Sequence, residues 1–280
     1  IDKGEGQTPV KMPDTLLSIG KSNKLRIPFV QGKFNMGGTG VFQFCGENNL
    51  QLVISKRHKE IQKFEEDNTK DLWGFTIIRR SNPEKGMRSS SYKYLAPNNK
   101  ILIIDSETLP LLPGEYPEAL KNPMEYGTFI KLYEYQMTGL RTNILFDLYN
   151  KISLLLPSIA LPVRFYERRK GYSGHSLETT LAGLTVRLDE DKRENLESGF
   201  PDSSTISVNK QRMNVSIYVF KRGQSTKYSN SEGIIFTING QTHGYLSKSF
   251  FSRQSVKMNY LADSILVLVD CSQGEKGVKS

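Results

Sequence analysis

The chain has 280 residues and carries 38 lysines and arginines against 29 aspartates and glutamates, a formal charge of +9. That length suits one large domain or two ordinary ones, and the supply of aromatic and aliphatic residues argues against wholesale disorder. No apolar run approaches the roughly 18–20 residues of a membrane span, and no signal peptide is visible. No membrane partner is therefore expected. Cys45 and Cys271 show neither metal nor disulfide spacing, which fits a reducing, cytoplasmic setting.

Residues 1 to 40 alternate glycine-rich loops with one short apolar segment, DTLLSIG, which Asp14 or Thr15 can cap and Gly20 can end. A short helix is expected from Gly37 to Cys45. NLQLVISKR (Asn49 to Arg57) alternates apolar and polar residues, as a strand does. LWGFTIIRR, SSSYKYLAP, KILIID and YGTFIKLYEY read as further strands, with a proline-rich loop from Ser106 to Pro123. The best helix is TNILFDLYNKISLLLP: Thr142 or Asn143 caps it, Ile144, Leu148, Ile152 and Leu155 recur at helical spacing, and Pro157 stops it. ALPVRFYERR returns to strand. In the polar stretch that follows, SLETTLAGLTVRL has helical spacing and ESGFPDSST reads as loop. MNVSIYVFKR, GIIFTING and DSILVLVDCS are strands, with a helix expected over LSKSFFSRQSVKMNYL and a turn at Asn239-Gly240. The pattern is α+β, with mostly antiparallel strands in two layers.

A basic balance favours polyanionic partners, DNA first among them, through phosphate contacts and counterion release. The charge is nevertheless scattered over pieces such as SKRHKEIQK and FYERRK, as solvated faces are. His58, His175 and His243 are isolated and read as ordinary surface or loop residues. No metal site is expected from side-chain spacing.

The densest signal is GKFNMGGTG, Gly32 to Gly40, just ahead of VFQFCG. Glycine reaches positive φ without strain, and its bare backbone N–H groups can close on an anion. A following helix N-terminus adds partial positive charge. The P-loop pattern fails, because in TLLSIGKS Thr15 stands where the first glycine is needed. The dinucleotide spacing G-x-G-x-x-G is absent from GGTG.

A third pattern fits. DKGEGQ has the form D-x-G-x-G; SIGKSNK follows; then G-x-F-x-x-G from Gly32 to Gly37; and GTFIKL lies farther on, in a strand. This ordered set resembles the GHKL ATPase superfamily of gyrase, the heat-shock ninety chaperones, histidine kinases and MutL-type repair proteins. The resemblance covers residues 1 to about 135. It implies that Asp2 accepts a hydrogen bond from the adenine amino group and that Gly4 and Gly6 let base and ribose approach the backbone. Ser22 and Lys24 match the lid. Gly32, Asn35 and Gly37 match the second glycine box; Lys33, Gly38 and Thr39 complete the candidate phosphate loop, and Thr128 matches the strand threonine near adenine. Three departures mark a divergent member: Asn35 replaces a glycine, Gly40 stands where serine or threonine is common, and Gln7 replaces a methionine. The family's general base and its magnesium-binding asparagine precede D-x-G-x-G, so the resemblance expects the base upstream of Ile1 and has the chain start inside the ATP-binding domain.

The resemblance continues into the second half, where GIIFTINGQTHGYLSKSFF is similar to the strand-turn-helix of a MutL-type transducer. Lys210, Lys248 and Lys257 are candidates for a lysine that senses the γ-phosphate. The expected architecture is a two-layer α/β sandwich of Bergerat (GHKL) type over residues 1–165, then a transducer-like domain related to ribosomal S5 domain 2 over 166–280. The implied function is ATP binding and hydrolysis with ATP and Mg2+. Nucleotide state would be coupled to domain closure or to a homodimer or partner subunit, in a DNA-repair or phage-defence setting. The alternative is a non-enzymatic basic module that grips nucleic acid or protein.

Overall fold

The computed structural model describes residues 1–18, 40–83, 85–136, 143–172 and 176–272. They fall into two compact units, the first holding 1–18, 40–83, 85–136 and 168–172, the second 143–167 and 176–272. A boundary at 165/166 is expected from the sequence; in the structure 143–167 group with the second unit.

Alternating strands build the first unit. Its strands are β1 (Leu50–Lys56), β2 (Trp73–Ser81), β3 (Ser91–Tyr94), β4 (Leu102–Ile104), β5 (Leu109–Leu112), β6 (Asn122–Met124) and β7 (Gly127–Leu132). The main sheet runs β3-β2-β1-β7, all antiparallel, and β4 shares the β3 edge of β2. Paired residues share a face. Ile54, Phe75 and Phe129 therefore pack on one side with Trp73, Leu111 and Met124. Val53 and Ile78 lie on the other, under Met12 and Ile101. The stretch expected to be loop, Ser106 to Pro123, instead holds the β5–β6 hairpin; Pro110 is tolerated there because this is a two-stranded, edge-like sheet. The short helix expected from Gly37 is a 3-10 turn, Val41–Phe44, among the described residues. The α-helical piece α1 is Lys59–Gln62.

The second unit opens with α2 (Ile144–Leu155), whose cap is Asn143: its side chain accepts from Leu145 N–H at 2.8 Å. The strands β8 (Val163–Tyr166) and β9 (Glu178–Leu181) form a hairpin-like pair. SLETTLAGLTVRL is not one helix. β9 takes its start, Gly183 adopts φ +100°, and the chain re-enters as α3 (Leu184–Val186) and a π-helical turn, Arg187–Asp191. A five-stranded sheet follows from β10 (Asp202–Val208), β11 (Gln211–Val219), β12 (Glu232–Ile238), β13 (Gln241–Ser247) and β14 (Ile265–Asp270), in the order β10-β11-β14-β12-β13. Only β12 and β14 run parallel among the described strand pairs. Asn239 and Gly240 have φ +51° and +76° and join β12 to β13 as a two-residue hairpin. The helix expected beyond it is replaced by β13 and two short 3-10 turns, Lys248–Ser252 and Asn259–Leu261. Leu184, Leu188, Tyr218, Phe220, Ile235 and Leu266 form the core. Burying each aliphatic member contributes about 1.5–3 kcal/mol.

The fold is thus mixed α+β, dominated by strands. None of the described helices is long and apolar enough to cross a membrane.

Candidate functional site

The amino-terminal segment lies along the edge of the first sheet. Asp2 and Thr128 exchange both backbone hydrogen bonds, at 2.8 and 2.7 Å, as an isolated antiparallel bridge beside β7. Directly opposed residues present their side chains on the same face, with Cβ atoms about 4.5–5.5 Å apart. The register then gives one row across the sheet: Gly74, Ser55, Thr128 and Asp2. Two of the residues singled out by the motif resemblance are thereby brought side by side from distant parts of the sequence.

Hydrogen bonds set the polarity of this row. Ser55 Oγ lies 3.0 Å from the carbonyl of Gly127, 3.0 Å from Thr128 Oγ1 and 2.9 Å from the N–H of Gln7. A hydroxyl has one proton to give. The carbonyl can only accept, so Ser55 donates to Gly127 and the Thr128 hydroxyl donates to Ser55. Lone pairs on Thr128 Oγ1 remain to accept from another group. At Asp2 one carboxylate oxygen accepts from Gly4 N–H at 2.8 Å. Its other oxygen has no partner among the described residues, and the residue is exposed. Ile130, two positions along β7 on the same face, is 45% exposed and offers an apolar wall beside the row.

An ionic clamp holds the segment in place. Buried Glu65 pairs with Lys11 and with Arg57 Nε at 3.0 Å, while Arg57 Nη1 reaches Glu5 at 3.1 Å and the carbonyl of Gly6 at 2.8 Å. His58 N–H adds a bond to Glu5 C=O at 2.8 Å. Glu65 and Arg57 are the shielded members, Glu5 and Lys11 being exposed, so only loss of Glu65 or Arg57 leaves a desolvated charge without its partner, at a cost of up to about 3–5 kcal/mol. At the same corner Lys56 is buried; its ammonium donates to the Ser106 carbonyl at 2.7 Å, and burial pulls its pKa below the usual lysine value. Asp71, Asp105 and Glu107 oppose that shift.

The glycines divide into two classes. Gly6 has φ +62°, and a Cβ there would lie 1.9 Å from the Lys56 carbonyl oxygen. Gly127 has φ +109°, and a Cβ would lie 2.3 Å from the Asp2 carbonyl oxygen. Backbone packing alone therefore requires glycine at both. Gly4 is different: a Cβ would meet only the Asp2 carboxylate, at 3.0 Å. Gly40, the described end of GKFNMGGTG, has φ −66°, and a Cβ there would meet nothing within 4 Å among the described residues. The remaining candidates Ser22, Lys24, Gly32, Lys33, Asn35, Gly37, Gly38 and Thr39 lie outside the described residues.

In the second unit Lys210 sits at the β10–β11 turn with φ +66°, Lys248 begins a 3-10 turn after β13, and Lys257 has φ +54°. Lys248 and Lys257 share the β13–β14 connection, and Lys210 lies in a different turn. Of the histidines, His58 caps α1, accepting from Glu60 N–H at 3.1 Å, and packs edge-on against Tyr126. His243 is exposed on β13, and His175 lies outside the described residues. Among the described residues no group of three or more His, Cys, Asp or Glu could hold a metal ion.

Sequence reading missed Ser55 and the Glu65–Arg57 clamp. Ser55 shares its face of LQLVISK with Val53 and the polar Gln51, so alternation did not single it out. For Glu65, partners distant in sequence left no local trace. No protein-family model matches the chain, and no curated protein matches it either.

Proposed function

We propose that the first unit binds ATP in the manner of the GHKL superfamily and that the chain couples nucleotide binding, and with it hydrolysis, to the second unit. The observation that carries this reading is the Asp2–Thr128 bridge, which juxtaposes the two residues matched to adenine recognition. An ionised carboxylate is acceptor-only and suits the amino group of adenine, and the Thr128 hydroxyl keeps lone pairs for a water or ring contact. Guanine carries a carbonyl where adenine carries that amino group, so the same oxygen discriminates against GTP. The finer architecture proposed with this function is a Bergerat-type sandwich followed by an S5-like transducer; the mixed sheet of the second unit, with its parallel β12–β14 pair, supports the latter. ATP with Mg2+ would supply the phosphoryl chemistry when bound, held on the phosphate side by residues 32–39. The chain's own described residues orient the base: Asp2 accepts, Ser55 turns the Thr128 hydroxyl, and Ile130 excludes water from one side.

The test is calorimetric titration of the chain with Mg-ATP and Mg-GTP, using Asp2→Asn. Asparagine keeps the oxygen that Gly4 N–H needs, so the local turn survives and only the charged acceptor is lost. ATP should bind better than GTP, and D2N should weaken ATP by roughly tenfold or more, as loss of a charge-assisted hydrogen bond does. Absence of ATP binding, or equal affinity in D2N, would sink the assignment.

A second reading, a basic module for nucleic acid, is favoured by one observation: Gly6 and Gly127 are accounted for by backbone packing without any ligand. Salt-dependent DNA binding with no response to nucleotide would select it.

A further inference from the structure

The second unit holds a cavity of about 580 Å³, a size typical of small-molecule sites. Every residue lining it belongs to that unit. Its wall combines the rings of Phe146 and Tyr149 on α2 with the cations Arg187, Lys192 and Lys227, against the single carboxylate of Asp191.

Arg187 is the organising group. Its guanidinium carbon sits 5.1 Å from the ring centre of Tyr149 and 4.9 Å from that of Tyr228. Tyr228 is itself fixed: it is buried, stacks on Phe220 at 5.2 Å and 11°, and its hydroxyl accepts from Asn195 Nδ2 at 2.7 Å. Aromatic rings stabilise the cation and limit its rotamers, yet they take none of its strong in-plane hydrogen bonds. Among the described residues no carboxylate pairs with Arg187 or Lys227. Among the same residues the carboxylate that Lys192 reaches is Glu194, at 3.6 Å. A half-buried guanidinium, held in place at a cavity with no hydrogen-bond acceptor among the described residues, is preorganised for an oxyanion.

We infer that this cavity binds a small phosphorylated ligand. Arg187 forks onto the phosphate, Lys192 and Lys227 flank it, and the faces of Phe146 and Tyr149 pack against the organic part. The charges match: the wall has two more cations than carboxylates, and a phosphate monoester carries about −1.5 to −2 at neutral pH.

Uridine monophosphate and inorganic pyrophosphate are suitable probes, because neither carries the adenine amino group that Asp2 would read. The full chain is titrated with each by calorimetry, in wild type and in R187M, K227M and D2N. Binding of either probe is expected. It should weaken roughly tenfold or more in R187M and several-fold in K227M, since each removes a charged donor, and should be unchanged in D2N. Lys227 is exposed, so its replacement leaves the core intact should R187M misfold. Failure of both probes to bind overturns the inference, as does binding that R187M and K227M leave unaltered. The D2N arm keeps this result separate from the fate of the ATP assignment.

Discussion

Replacing Gly6 by alanine places one methyl group where two backbones meet. At φ +62° an L-residue is strained by about 1–2 kcal/mol. The new Cβ would also lie 1.9 Å from Lys56 O and 2.8 Å from Lys56 C. A relaxed carbon–oxygen contact is about 3.3–3.6 Å, so the segment must lift from β1 by more than about 1 Å. The bonds from Arg57 to Gly6 O, at 2.8 Å, and from Gln7 N–H to Ser55 Oγ, at 2.9 Å, are then lost. At about 1 kcal/mol each, the total loss comes to about 3–4 kcal/mol. Trp73 is the sole tryptophan of the sequence and is fully buried in the first unit. Its fluorescence during urea unfolding therefore reports on that unit. Gly86→Ala is the control: φ is +99°, but nothing lies within 4 Å of the added carbon, so only the backbone strain of about 1–2 kcal/mol is expected. A G6A variant no less stable than G86A would refute the packing argument.

Asn143→Ala should cost about 2 kcal/mol, because it removes the α2 cap and strands the Ser176 carbonyl that Asn143 Nδ2 serves at 2.9 Å. Asn143→Asp keeps the cap and should lose about half as much. Equal melting by circular dichroism for the two variants would contradict this division. Tyr218 is buried and donates to Asp189 at 3.1 Å; burial first, then the Asp189 charge, pushes its ionisation well above the usual tyrosine value. Unfolded tyrosine ionises near pH ~10, so the stability tied to this group is whole below that pH and is lost as pH rises beyond it, by about 1.4 kcal/mol per pH unit. The difference in unfolding free energy between wild type and Y218F should therefore shift between about pH 9 and pH 11; a constant difference would count against the assignment.

Elements whose signal is local were readable in advance. Alternation marked β1, strand-like apolar runs marked β2, β7, β11, β12 and β14, Thr142 or Asn143 marked a cap, and Asn239-Gly240 marked a turn. What escaped depends on context. β10 is exposed along its whole length, so it carries no buried face to reveal it; its pairing with β11 holds it. The stretch after Ser247 has helical composition, but Lys257 at φ +54° and the bond from Met258 N–H to Phe251 O turn it into loops. Gly183 likewise divides SLETTLAGLTVRL through a backbone angle that composition does not encode. At the candidate site Asp2, Gly4, Gly6 and Thr128 were named from the motif resemblance, whereas Ser55 and the clamp around Glu65 depend on partners far along the chain.

In the second unit β14, the last strand of the described residues, lies in the middle of the sheet, between β11 and β12. In a nascent chain synthesised through β13 this sheet exists only as two separate hairpins, β10–β11 and β12–β13, with Leu266 and Leu268 still missing from the core they will share. The keystone arrives last, so the unit sets as a single cooperative body only after synthesis has passed Asp270.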